Sequence, residues 1–215
     1  MLYIEGWILH MKRIIVPGLP HHVIQRGLEG RKIFLNENDY AVYFEIIVEC
    51  CRRHGVEIWA YCLMPDHVHL IAVPGKKSSL SNCLRAAHGR YTKHINSRTG
   101  KSGQFWQGRY ASHLLDEQYL IACARYIEIN PVKKEYVDQP EDWPWSSARA
   151  HITGSNDSLV LVKPLLEGVE MSWQDFIAEP RPVDEADLFY RHEKTGLPLG
   201  SDDFLALYCK KLFVK

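Results

Sequence analysis

Two apolar runs separated by three residues constrain this chain most. Val56–Leu63 is rich in branched and aromatic side chains, and His67–Val73 is nearly as apolar, with Met64-Pro65-Asp66 between them. Runs of this length and type read as β-strands, and a Pro-Asp pair turns the chain, so the segment predicts a buried hairpin. A hairpin of this kind is one part of a sheet, which needs further strands and packed helices.

The rest of the chain supplies them. His21–Gly27 (HHVIQRG) alternates and ends at glycine, predicting a first strand with His22, Ile24 and Arg26 on one face and His21, Val23 and Gln25 on the other. Asn36 or Asn38 can cap a helix running to about His54, with a stripe of Tyr40, Phe44, Ile47 and Cys51 and a stop at Gly55. A second helix is predicted over Ser79–Ser97, on the stripe Leu80, Leu84, Ala87, Tyr91 and Ile95. Arg109–Leu115 reads as a fourth strand, and Glu117–Asn130 as a helix stopped by Pro131. The order β-α-β-β-α-β-α predicts an α+β, ferredoxin-like core with a mainly antiparallel sheet and helices on one face. This plan covers roughly residues 14–135. Residues 151–215, acidic and then helical, form a C-terminal extension expected to pack on the core.

Other classes are excluded. No apolar run approaches the roughly 20 residues that span a bilayer, so no membrane anchor is expected. Met1–His10 lacks the basic start and cleavage site of a secretory leader, and Met11, followed by Lys12-Arg13, reads as an alternative start. Cys50, Cys51, Cys62, Cys83, Cys123 and Cys209 show no Cys-x-x-Cys spacing and lie in apolar segments. They read as reduced core thiols in a cytoplasmic protein.

Lys+Arg and Asp+Glu balance at 26 each, but their positions do not. No acid occurs between His67 and Leu115, where Lys76, Lys77, Arg85, Arg90, Lys93, Arg98, Lys101 and Arg109 stand. From Asn156 to Tyr190 eight acids face Lys163 and Arg181. A charge run by itself is a solvated face. The interleaving of Tyr91, Asn96, Gln104, Trp106, Gln107 and Tyr110 with the basic residues also suits phosphate contact and stacking on unpaired bases. Arg26, Arg85, Arg90, Lys93, Lys101, Trp106, Gln107, Arg109 and Tyr110 are the candidate nucleic-acid contacts.

His67-Val68-His69 carries the chemistry. Strand alternation sets both imidazoles on one face, near enough to share a metal ion. Two histidines on a strand can be ordinary surface residues. In an apolar sheet, however, they need polar partners. Tyr126 and Asn130 stand four apart on one helix face, beside the stripe of Leu120, Cys123 and Ile127. Should that edge lie beside the histidines, an Asn130 oxygen completes a two-imidazole, one-oxygen site suited to Mg²⁺ or Mn²⁺, with the Tyr126 phenol one turn away. Tyr91, Tyr110 and Tyr119 are rival nucleophiles. Tyr91 falls on a core stripe, Tyr110 sits beside a strand where it could stack on a base, and Tyr119 has Cys123 in place of an amide four residues on.

Four ordered segments make a resemblance specific: His22–Gly27, Met64–Leu70, Gly103–Tyr110 (GQFWQGRY) and Arg125–Pro131 (RYIEINP). The chain resembles the single-tyrosine, histidine–hydrophobic–histidine superfamily of insertion-sequence-200-like transposases, and most of all the REP-associated tyrosine transposases. The resemblance is strong over residues 14–150. Trp143–Ser147 and Thr195–Phe204 resemble downstream segments of some members. It implies a ferredoxin-like fold and cutting of single-stranded DNA near imperfect palindromes. A tyrosine attacks the phosphodiester to give a 5′-phosphotyrosine link and a free 3′-hydroxyl. By position, His67 and His69 match the metal-binding histidines, Tyr126 the nucleophile and Asn130 the third ligand. The implied partners are single-stranded or hairpin DNA and Mg or Mn, with the protein a monomer or homodimer. A domesticated hairpin-binding protein that no longer cuts is the second expectation. A His-x-His hydrolase on a barrel is disfavoured by length and by the absence of regular strand–helix alternation.

Overall fold

The computed structural model describes residues 13–179, 188, 189, 192 and 198–213. The alternative start at Met11, residues 180–187 of the acidic stretch and residues 195–197 lie outside them. Four strands, β1 (His21–Arg26), β2 (Val56–Met64), β3 (His67–Pro74) and β4 (Ala111–Leu114), form one sheet in the order β2-β3-β1-β4. Every pairing is antiparallel. Helix α1 (Glu37–His54) joins β1 to β2 and α2 (Ser79–Thr99) joins β3 to β4. Helix α3 (Glu117–Glu128) follows β4. This is the predicted α+β, ferredoxin-like plan.

Local chemistry accounts for the boundaries. The Asn36 side chain accepts a hydrogen bond from Asp39 N at the start of α1, and Gly55 ends it in left-handed geometry with φ 62°. The hairpin turns over Pro65 and Asp66, and all eight residues of β3 are buried. Pro131 does not stop the chain as expected. Helix α3 ends at Glu128, and Pro131 occupies the first turn of a new short helix, α4 (Asn130–Lys133), where its missing N–H costs nothing.

The expectation of helices on one face is corrected. Val23, Leu63, Val68 and Leu70 share a core with α1 and α2, whereas Ala60, Cys62, Met64 and Ile71 share another with α3. The sheet is therefore covered on both sides, which explains why β3 has no exposed residue. A bulge in β2 between Ile58 and Ala60 makes this possible. It shifts the alternation by one, so that Ile58, Tyr61 and Leu63 all face α1 and α2 while Cys62 and Met64 face α3.

Residues after 150 are built into these cores. After α5 (Ala148–Thr153), Leu159, Val160 and Val162 join the α1/α2 side. Leu165 of α6 (Lys163–Leu166) and Trp173 and Ile177 of α7 (Trp173–Ala178) join the α3 side. A last helix, α8, spans Asp202–Phe213. Cys50, Cys51, Cys62, Cys83 and Cys123 are free and buried, as core thiols should be, and the side chain of Cys209 lies outside the described ones. Among the described residues no helix is long and apolar enough to cross a membrane.

Candidate functional site

Strand β3 carries His67 and His69 on the sheet face that α3 covers. In register, Arg26 and Met64 flank His67, while Ile24 and Cys62 flank His69. The imidazoles are 7% and 1% exposed. Their ring centres lie 4.7 Å apart with planes at 86°. Each ring is held through Nδ1: His67 Nδ1 lies 2.6 Å from Asp66 Oδ1, and His69 Nδ1 lies 2.9 Å from His22 Nε2, with the His22 and His69 rings stacked at 5.1 Å. A partner at Nδ1 fixes the tautomer and orientation of each ring. Burial holds His22 and His69 well below the usual imidazole range, and the neighbouring basic groups, including His67 and Arg26, push the same way. Both rings are kept neutral, the form that ligates a cation.

Helix α3 lays Tyr126 over this pair. Its ring centre is 5.8 Å from that of His69 and 6.2 Å from that of His22, edge-on to both. Tyr126 is 8% exposed. The buried Asn130 donates Nδ2–H to Tyr126 O at 3.1 Å. Phe189 stacks on Tyr126 at 5.0 Å, and Lys133 Nζ lies 5.5 Å from the Tyr126 ring centre. The four residues that the sequence singled out for chemistry therefore belong to one region, assembled from β3, α3 and the start of α4. Two imidazole nitrogens and an amide oxygen are a donor set that fits Mg²⁺ or Mn²⁺. Among the described residues no three His, Cys, Asp or Glu side chains group as a metal centre.

The rival tyrosines are elsewhere. Tyr91 is buried under α1 and donates its hydroxyl to Ile33 O at 2.7 Å. Tyr110 is buried as well, with the Arg13 guanidinium 4.0 Å from its ring centre, so it does not present a face to a base.

The candidate nucleic-acid contacts separate into two groups. Arg26 ends β1 opposite His67, and the 104–109 loop is tied to it: Gln107 N donates to Arg26 O at 2.9 Å, and Gln25 Nε2 donates to Gly108 O at 3.2 Å. Gln107, Arg109 and Lys101 are exposed along this loop. Trp106 is half-buried, its Nε1 donating to Thr92 Oγ1 at 2.9 Å. Arg85, Arg90 and Lys93 lie on the outer face of α2, across the sheet from the histidines, because α2 turns its apolar stripe to the sheet face opposite theirs. Arg90 is paired with Glu49 at 2.8 Å. One continuous basic track past the site does not form.

Sequence reasoning missed four participants. His113 pairs with His22 across β4, its ring 6.0 Å away, a contact that becomes visible only once strand neighbours are known. Asp66 read only as a turn residue. Glu128 and Phe189 gave no signal in the sequence.

Comparisons with known proteins show what the chain as a whole is similar to. The profile of the family described as "Transposase IS200 like" matches residues 16–130. A REP-associated tyrosine transposase of Escherichia coli is 28% identical over 126 residues, covering 56% of this chain and 72% of that protein. A relative from Haemophilus influenzae is 29% identical over 110 residues, 46% of this chain, and the match spans 62% of its length. Among solved structures, a REP-associated tyrosine transposase bound to a REP hairpin superposes with a TM-score of 0.59 at 23% identity, over 80% of this chain and 97% of that one. At that identity the likeness establishes the fold.

Proposed function

This chain belongs to the IS200-like transposase family, and from that premise we propose that it cuts and rejoins single-stranded DNA at hairpin-forming palindromes through Tyr126. The observation that carries the reading is the approach of the Tyr126 ring to 5.8 Å from His69. These residues lie far apart in the chain and meet beneath one helix. A REP hairpin is what the solved relative holds, and such DNA is the substrate class inferred here.

In this mechanism the Tyr126 oxygen attacks the phosphorus, the bond to the 3′-oxygen breaks, and a 5′-phosphotyrosine and a free 3′-hydroxyl result. An unperturbed phenol titrates near 10, so it has to lose its proton on attack. His67, His69 and Asn130 would hold a divalent cation, which would supply charge neutralisation at the phosphate oxygens. The protein's own contribution is orientation. Asp66 and His22 fix the two imidazoles, and the Asn130–Tyr126 bond couples the third ligand to the helix that carries the nucleophile. Arg26, Gln107 and Arg109 are the contacts for the DNA backbone beside the site.

Incubation of labelled hairpin single strands with the protein and Mn²⁺ or Mg²⁺ should trap a covalent adduct. Tyr126→Phe should abolish it while leaving hairpin affinity intact, because only the attacking oxygen is removed. An undiminished adduct in that variant would refute the assignment. The ring of Phe189 over Tyr126 favours one second reading, hairpin binding without cutting. Tight binding that survives chelation, with no adduct in either cation, decides for it.

A further inference from the structure

Glu128 closes α3 two residues after Tyr126 and two before Asn130. Its carboxylate is fully buried and engages three donors. Ser147 Oγ lies 2.5 Å and His151 Nδ1 2.6 Å from Oε1, and Trp173 Nε1 lies 2.7 Å from Oε2. Ser147 Oγ in turn accepts from Tyr61 N of β2 at 2.9 Å, and His151 stacks on Trp173 at 4.6 Å. The donors come from the N-cap and the body of α5 and from α7, so one carboxylate joins the end of α3 to two separate stretches of chain and, through Ser147, to the sheet.

A carboxylate in the interior is unfavourable unless it is saturated with donors, and an apolar side chain of similar volume would fill the same space. What the carboxylate adds is direction. Apolar contacts such as those of Leu120, Cys123 and Ile127 let a helix rotate or slide by small amounts, since burial is non-directional. Three charge-assisted bonds fix the orientation of the turn that bears them. The fixed turn is the one at which α3 gives way to α4, between the phenol and the amide.

We propose that Glu128 is a positioning residue for Tyr126 and Asn130, with Ser147, His151 and Trp173 as its seat. The inference rests on the reading of Tyr126 as the nucleophile. It makes the part of the chain beyond residue 150 a component of the reactive unit.

The test uses the full chain. Glu128→Gln keeps the shape but turns an NH₂ toward a donor, and Ser147→Ala removes one donor. Two readouts are needed: amide hydrogen exchange across the protein, and single-turnover adduct formation at saturating hairpin DNA. Glu128→Gln should speed exchange over residues 126–134 about tenfold while β1 and β3 keep their protection. It should slow adduct formation about ten- to hundredfold with hairpin affinity unchanged. Ser147→Ala should move both readouts in the same direction by less, and it decides the matter by the same criteria should Glu128→Gln fail to fold. Unchanged local exchange and rate would overturn the proposal. So would a uniform rise in exchange with binding and rate lost together, which marks a purely global role. If the wild-type chain forms no adduct, the nucleophile reading fails, and local exchange alone decides whether Glu128 fixes this turn.

Discussion

His67 and His69 differ in how each is held. One takes a carboxylate partner from its neighbour in the turn, the other an imidazole from β1. The Asp66 bond orients His67 and fixes its tautomer, as partners of metal-bound imidazoles do. Asp66→Asn should therefore weaken Mn²⁺ binding about ten- to hundredfold while the fold persists. Titration calorimetry checks this, and unchanged affinity would remove His67 from the ligand set. Gly27, which ends the first motif, also has a physical reason. A Cβ there would stand 2.2 Å from Arg31 O, so only glycine lets the backbone pass. Its N–H donates to Asp66 O at 2.9 Å, linking the end of β1 to the histidine turn.

At the scale of elements, α3 is set at both ends by polar contacts. Asp116 Oδ1 accepts from Tyr119 N at 2.9 Å, capping the helix, while Oδ2 accepts from Ser201 N at 2.7 Å. Asp116→Ala should lower stability by about 1–2 kcal/mol in urea unfolding, the loss of an N-cap with a second bond. A change near zero would show the helix to be held by packing alone. The helix starts and stops at Asn36, Gly55 and Asp116 follow from local chemistry. The passage from α3 into α4 across Pro131 does not, because proline is equally suited to a helix's first turn and to its exclusion from the interior. Neither does the β2 bulge, which adjusts the strand to two cores at once.

For the molecule as a whole, buried histidines link stability to pH, and His21 and His88 do so away from the candidate site. Burial lowers His88 to about 3 and His21 to about 4, in the latter case against bonds to backbone carbonyls. An unfolded histidine takes its proton near 6.5, whereas these stay neutral in the fold well below that. Between these values the unfolded chain binds more protons, so stability is full above about pH 6.5 and falls as pH drops toward 4. Each group adds a slope of up to about 1.4 kcal/mol per pH unit. Urea midpoints should be level near pH 7 to 8 and decline below 6.5. A flat profile down to pH 4 would show that these rings are hydrated in the native state.

The order of elements, the strand that pairs the two histidines, and the helix that carries Tyr126 were all legible in the sequence. Each follows from periodicity or from a cap within a few residues. The basic stretch over residues 76–109 was legible only as composition. Which charges stand by the histidines depended on the side of the sheet that α2 covers, and that placed Arg85, Arg90 and Lys93 across the sheet from Arg26 and Gln107. Tertiary structure alone brought His22 onto His69, Phe189 onto Tyr126, and Ser147, His151 and Trp173 around Glu128. The physical reason is range. Backbone propensity and capping act over one or two turns of chain, while burial on two opposed faces is settled only when distant segments compete for the same space.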